Sequence, residues 1–277
     1  MQVIETIADM KKYRRSLKGD VGFVPTMGFL HEGHLELARR AKKENPIAGA
    51  SIFVNPSQFG PKEDLASYPR DLPRDIQLLE SVKTDFVFIP SATEIYPPRF
   101  STWVNVEKVT DKLEGAVRPG HFRGVATVVL KLLNIVEPTR SYFGQKDAQQ
   151  CVVIKKFVSD LNMNPEVIIC PTVREQDGLA MSSRNTYLNM DERKAAVVLS
   201  QSLKLAQKLY AGGERNAETI RNQMRDLIQK QPLAGIDYIS IADNETLEEL
   251  EVINPPALVS LVVKIGKPRL LDNVILE

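Results

Sequence analysis

The sequence predicts an α/β chain: a parallel sheet with helices on both faces, followed by a smaller α+β unit. Three observations lead there. Up to Pro171, short strand-like runs alternate with helix-period patterns, the signature of β–α–β units. Those runs are mostly apolar at every position, as strands covered on both faces are. After Pro171 the order changes, with helical patterns first and strand-like runs last.

The strands of the first part are expected at residues 22–25, 50–54, 86–89, 141–143 and 167–170. One helix is expected over 33–44. A second places Val125, Val128, Val129, Leu132, Leu133 and Val136 on one face. A third follows Lys146 and should bury Val152, Val153, Phe157 and Leu161. Beyond Pro171, a polar loop (174–185) leads to helices over 191–211 and 217–229, separated by Gly212-Gly213. Strands are expected at 237–242, 259–265 and 269–275. The domain division is 1–175 and 176–277.

The 277 residues carry 36 Lys and Arg against 35 Asp and Glu, a formal net charge of +1. That balance argues against a nucleic-acid surface. The basic stretches 11–18 and 39–43 lie on predicted helices and read as solvated faces. Two cysteines, Cys151 and Cys170, build neither a disulfide framework nor a thiolate zinc site, so they read as free, partly buried thiols in a reducing compartment. No apolar run reaches the ~18 residues of a membrane span. The N-terminal charge order is the reverse of a secretory signal, so a cytoplasmic protein is expected.

Five segments carry chemistry. In 21–35 a buried strand runs into a Gly-containing turn, then His31 and His34, then a helix. Residues three apart share a helix face, and a helix start offers free N–H groups and a positive dipole end to an anion. Both imidazoles would point at one phosphate, with Gly33 permitting close backbone approach. The same pair also suits a helix cap; a metal site lacks further ligands nearby. In Phe143-Gly-Gln-Lys-Asp147 a lysine opens a helix after a strand, suited to phosphate oxygens or to a solvated surface. Asp177 to Asn185 offers two hydroxyls and a guanidinium in a loop. Phe53-Val-Asn-Pro-Ser-Gln-Phe59 ends a strand in neutral amides, or is an Asn-Pro turn. The fifth, Glu114 to Gly124, holds two arginines and the third histidine, in a loop over a pocket or a plain connection.

Together the runs PTMGFLHEGHL, FVNPSQFGPKED, YPR, RPGHFRGV, YFGQKDAQQ and DGLAMSSRN resemble the pantoate–β-alanine ligase family, in order and over essentially the whole chain. That family sits in the His-x-Gly-His nucleotidyltransferase group, related to class I aminoacyl-tRNA synthetases. Glu36, Ala38 and Ser57 differ from its usual residues at positions that should carry no chemistry. The resemblance implies a Rossmann-type N-terminal domain with a smaller C-terminal one, a homodimer, and ATP-dependent joining of pantoate to β-alanine through a pantoyl-adenylate. It implies that ATP is held by Met27, Gly28, Phe29, Leu30, His31, Glu32, Gly33 and His34, by Gly144, Gln145, Lys146 and Asp147, by Val173 at the adenine, and by Met181, Ser182, Ser183 and Arg184 closing over the triphosphate. His34 would be the proton donor. Catalysis would fall to His31, His34, Lys146, Ser182, Ser183 and Arg184. Gln58 would hold pantoate and β-alanine, and Gln150 pantoate. Mg²⁺ would arrive with ATP and no tightly bound cofactor is implied; no protein ligand for the metal is assigned, and Asp75 is the one carboxylate considered. The rival readings are a nucleotidylyltransferase making a dinucleotide, which needs cations for a phosphorylated acceptor, and a nucleotide-binding regulator without catalysis.

Overall fold

A computed structural model of the chain describes every residue except Lys62 and Asp64, both in the FVNPSQFGPKED run and so outside the described residues. The chain forms two units, Met1–Gly144 with Val153–Pro171, and Gln145–Val152 with Thr172–Glu277. The short insert 145–152 clusters with the later unit, which composition and spacing do not signal.

The first unit holds strands β1 (Gln2–Ile4), β2 (Val21–Thr26), β3 (Ile47–Ile52), β4 (Phe86–Phe88), β5 (Arg140–Gly144) and β6 (Glu166–Cys170). They form one sheet in the order β1-β4-β3-β2-β5-β6, with every pairing parallel. Its helices are α1 (Ile7–Ser16), α2 (Glu32–Glu44), α3 (Leu72–Ser81), α4 (Ala92–Ile95), α5 (Leu113–Val117), α6 (His121–Val136) and most of α7 (Ala148–Asp160). Strand β1 leaves no signal in the sequence: it has three residues and only Ile4 is buried, too little for a period. Helix α3 is not among the expected elements, although Leu72, Ile76 and Leu79 fall at helical spacing, the Asp71 side chain accepts the Arg74 N–H and Pro73 opens the helix. All six apolar positions expected under α6 are buried. Along α7, Val153 and Phe157 are buried, Val152 is half-buried, and Leu161 is 54% exposed because the helix ends before it. Both cysteines are buried and neither is in a disulfide.

The second unit holds α8 (Met190–Ala195), α9 (Val198–Ala211), α10 (Ala217–Gln229) and an antiparallel sheet β7 (Ala234–Asp243), β8 (Ala257–Ile265), β9 (Arg269–Leu276), in that order. The helix expected over 191–211 is broken after Ala195. Around the break Val197 and Leu199 donate to carbonyls three residues back rather than four, a tighter turn that re-aims the second segment. Leu199, Leu203 and Ala206 from α9, Ile220, Met224 and Ile228 from α10, and alternate residues of β8 share one core. Those helical residues recur every three or four positions, the spacing of a single buried stripe. Burying a leucine such as Leu203 stabilises by about 2–3 kcal/mol.

Candidate active site

In the first unit the site is built where β2 ends, at the carboxyl edge of a parallel sheet. The Thr26 hydroxyl donates to the Ser51 carbonyl at 2.7 Å and accepts the Gly28 N–H at 3.2 Å. Gly28 has φ +83° and Phe29 has φ +49°. A Cβ on Gly28 would lie 3.0 Å from an Asp75 carboxylate oxygen, so glycine is required both for the turn and for the contact. The two Asp75 oxygens accept the N–H groups of Phe29 and Leu30, each at 2.7 Å. The Arg74 guanidinium donates to the Leu30 carbonyl at 3.0 Å. A strained left-handed Phe29 is thereby pinned from two sides. Burial pushes the Asp75 carboxyl up, opposed by the two N–H bonds. With both oxygens committed to the backbone and only 1% exposure, Asp75 does not fit a metal ligand. It is a buttress of the turn.

His31 caps α2 and His34 lies in its first turn. Their rings stand 4.1 Å apart between centroids. The His34 Nδ1 accepts the His31 N–H at a long 3.4 Å. That places the proton of a neutral His34 on Nε2, as a donor. His31 and His34 thus form the helix cap together. Glu32 pairs with Arg39 on the same helix, and Leu30 is buried beneath the turn.

Gln58 closes a short 3₁₀ turn, Pro56–Gln58, capped by Asn55. The Asn55 amide donates to Gln58 Oε1 at 3.0 Å and to the Gly124 carbonyl at 3.2 Å. The Gln58 Nε2 then reaches Met27 Sδ at 3.1 Å. The Tyr96 hydroxyl donates to Asn55 Oδ1 at 2.8 Å. A Cβ on Gly124 would come within 2.4 Å of the Ser57 carbonyl oxygen, so α6 can approach only as glycine. The His121 Nδ1–H donates to the Gln58 carbonyl at 2.8 Å, and Arg118 donates to Nε2 at 3.2 Å. Burial, then the Arg118 charge, lowers His121 to about 4, so the ring is neutral at pH 7. Arg118 itself pairs with Glu63 at 2.5 Å. Segment 114–124 is thus most of α5, a short turn and the first residues of α6, and it braces Gln58 rather than forming a loop over a pocket. A pocket of about 270 Å³ beside the turn is lined by Met27, Gly28, Phe29, Phe53, Arg70 and Asp75, among others.

In the second unit, Gln145–Asp147 forms a 3₁₀ turn at the head of α7, after Gly144 ends β5. The Lys146 Nζ lies 3.5 Å from Asp147 Oδ1. On α7, Gln149 is buried and Gln150 half-buried. Residues 173–181 are a tight hairpin: Met181 N–H donates to the Val173 carbonyl at 3.0 Å and Glu175 N–H to that of Leu179 at 2.8 Å. Arg193 grips it through Asp177 at 2.7 Å and Glu175 at 2.5 Å. The Ser182 hydroxyl accepts the Arg184 N–H at 3.2 Å and caps the 3₁₀ turn Ser183–Tyr187. Asn185 closes the loop, its Nδ2 donating to Glu175 Oε1 at 2.9 Å and to the Ala180 carbonyl at 3.1 Å, so 174–185 is hydrogen-bonded along its whole length.

The structure groups Met27 to His34 with Gln58 in one unit, and Gln145 to Asp147, Gln150, Val173 and Met181 to Arg184 in the other. Sequence reasoning missed Asn55, His121, Arg118 and Asp75 as supports. Three of them lie inside quoted motifs, but only contacts reveal their work. Among the described residues, no group of three or more His, Cys, Asp or Glu side chains is placed to hold a metal, and no helix is long and apolar enough to cross a membrane.

The family model described as pantoate-β-alanine ligase matches residues 2–275. Pantothenate synthetases of Herpetosiphon aurantiacus and Roseiflexus sp. are 60% and 57% identical over 277 residues, covering 100% of both chains in each case. A crystal structure of pantothenate synthetase from Thermus thermophilus superposes with a TM-score of 0.95 at 46% identity, covering 99% of each chain. A pantoate-β-alanine ligase structure from Francisella tularensis, complexed with β-γ ATP and β-alanine, gives 0.82 at 37% identity, covering 99% of this chain and 97% of that one. A family model over almost the whole length, on a fold shared with its solved members, leaves one assignment: the chain belongs to the pantoate–β-alanine ligase family.

Proposed function

We propose that the chain condenses pantoate with β-alanine at the expense of ATP, releasing AMP and pyrophosphate through a pantoyl-adenylate. The observation that carries this reading is the Gln58 amide. Asn55 donates to its oxygen and one Nε2 hydrogen reaches Met27 Sδ, so the second Nε2 hydrogen is the donor it offers, and a neutral donor holds a carboxylate or hydroxyl without quenching the nucleophile.

In the first step a pantoate carboxylate oxygen bonds to the α-phosphorus and pyrophosphate departs. Negative charge grows on phosphate oxygens, where fixed donors lower the barrier. His34 Nε2–H and the α2 start serve this charge, with His31 beside them, as do the Lys146 ammonium, the Ser182 and Ser183 hydroxyls and the Arg184 guanidinium. Val173 and Met181 border the nucleotide base and triphosphate, with Gly144 to Asp147 along its phosphates. Gln58 and Gln150 orient pantoate. Mg²⁺ enters as part of the substrate MgATP, held by phosphate and water. In the second step the β-alanine amine bonds to the acyl carbon, AMP leaves with the bridging oxygen, and the amine's proton is released. The chain acts in the cytoplasm as a homodimer without a tightly bound cofactor.

The test is incubation with ATP, pantoate and β-alanine. Equal amounts of AMP and pantothenate are expected. ATP binding without pyrophosphate release would leave a regulator, and a dinucleotide product would leave a nucleotidylyltransferase.

A further inference from the structure

We infer that Asp272 and Asn273, adjacent on the last strand, are positioning residues that hold the two anion-binding segments of the second unit in register; the inference rests on the function proposed above. Strand β9 is apolar around them, yet Asp272 is 0% exposed and Asn273 2% exposed. Successive strand residues send their side chains to opposite sides, so one strand can grip two segments at once. The Asp272 carboxylate takes the Arg174 guanidinium in a fork, Nη1 to Oδ2 at 2.6 Å and Nη2 to Oδ1 at 3.0 Å. The same guanidinium donates to the Gly178 carbonyl at 3.0 Å and the Asn273 carbonyl at 3.4 Å. Arg174 therefore ties the hairpin that delivers Met181 to Arg184 onto β9.

The Asn273 amide does the same for the other segment. Its Nδ2 donates to the carbonyls of Gln145 at 3.1 Å and Lys146 at 2.8 Å, and its Oδ1 accepts from Gln145 Nε2 at 3.1 Å. Both Nδ2 hydrogens are thus spent on fixing the backbone that carries Lys146. The separation of the lysine from the serine–arginine turn is thereby referenced to a single peptide unit. A buried ion pair gives little stability over well-packed apolar residues, whereas it fixes geometry. That is the expected signature of a positioning element, and it makes the function separable from the fold.

Two variants test it: Asn273→Ala, and the double replacement Arg174→Met with Asp272→Leu, which leaves no buried charge unpaired. Both should unfold cooperatively within about 5 °C of the parent. Both should release pyrophosphate about 10–100-fold more slowly, the cost of misplacing charge-stabilising groups by around an ångström. ATP should bind more weakly while pantoate KM stays within about twofold, a split that a general loss of structure does not give. Folded variants with unchanged pyrophosphate release, equal losses for ATP and pantoate, or failure of both variants to fold would each overturn the inference. If the parent chain itself releases no pyrophosphate, the proposed function falls. The clamp is then judged on ATP affinity alone: weakening by about tenfold supports it, and equal affinity ends it.

Discussion

The turn between β2 and α2 and the hairpin before Ser182, both assigned to the nucleotide in the proposed function, are anchored in different ways. The turn is strained and is held through its backbone: two N–H groups on Asp75, a left-handed glycine and a left-handed phenylalanine. The hairpin closes on its own backbone pairs and is anchored from outside through side chains, Arg174 on Asp272 and Arg193 on Asp177 and Glu175. Backbone anchoring fixes atoms that are themselves donors. Side-chain anchoring fixes a platform, and the turn that follows, Ser183–Tyr187, is tied to it through Asn185 on Glu175 and Ala180.

Four experiments break or sharpen that contrast. Lys146→Ala removes a cation from the second unit; single-turnover adenylation should slow by roughly 10²–10³, and an unchanged rate removes the lysine from the chemistry. His121 braces the first unit in its neutral form. Its folded pKa of about 4 lies below the unfolded 6.5, so the unfolded chain binds the extra proton between those values. Stability from this group is complete above pH 6.5 and is lost as pH falls toward 4, by about 3 kcal/mol in all. His121→Asn should flatten that part of the slope in urea unfolding, and an identical slope contradicts the buried neutral ring. Asp75→Asn leaves one acceptor oxygen for two buried N–H groups. It should cost about 2 kcal/mol of unfolding free energy, and a neutral effect shows that the buttress is dispensable. Gln150→Ala should weaken pantoate by about tenfold, near the ~1.4 kcal/mol of one net hydrogen bond, and leave ATP unaffected in calorimetric titration. Equal loss of both removes its selective role.

The same contrast separates what is legible in the sequence from what is not. Strand, glycine turn, paired histidines and helix all lie within about fifteen consecutive residues, so local pattern suffices for the turn. Its buttress does not follow from pattern, because Asp75 is 46 positions from Phe29 and looks like any acidic residue in a first helical turn. The amide of Gln58 is visible as a residue type, but its orientation depends on Asn55 and its height on His121, which is 63 positions away. Leu161 falls outside the core because a helical stripe says nothing of where the helix stops. The clamp on β9 does leave a trace: two polar residues inside the apolar run 270–276, where alternation sends at least one of them inward. What it grips is unreadable, since Arg174 lies 98 positions earlier.

The central claim is that pantoate's carboxylate, and not a phosphorylated form of it, carries the reaction. The direct measurement supplies pantoate labelled with ¹⁸O in both carboxylate oxygens and analyses the nucleotide product by mass spectrometry. The account predicts one labelled oxygen in each AMP, transferred when the amine displaces the adenylate. Unlabelled AMP, or label in inorganic phosphate, contradicts it.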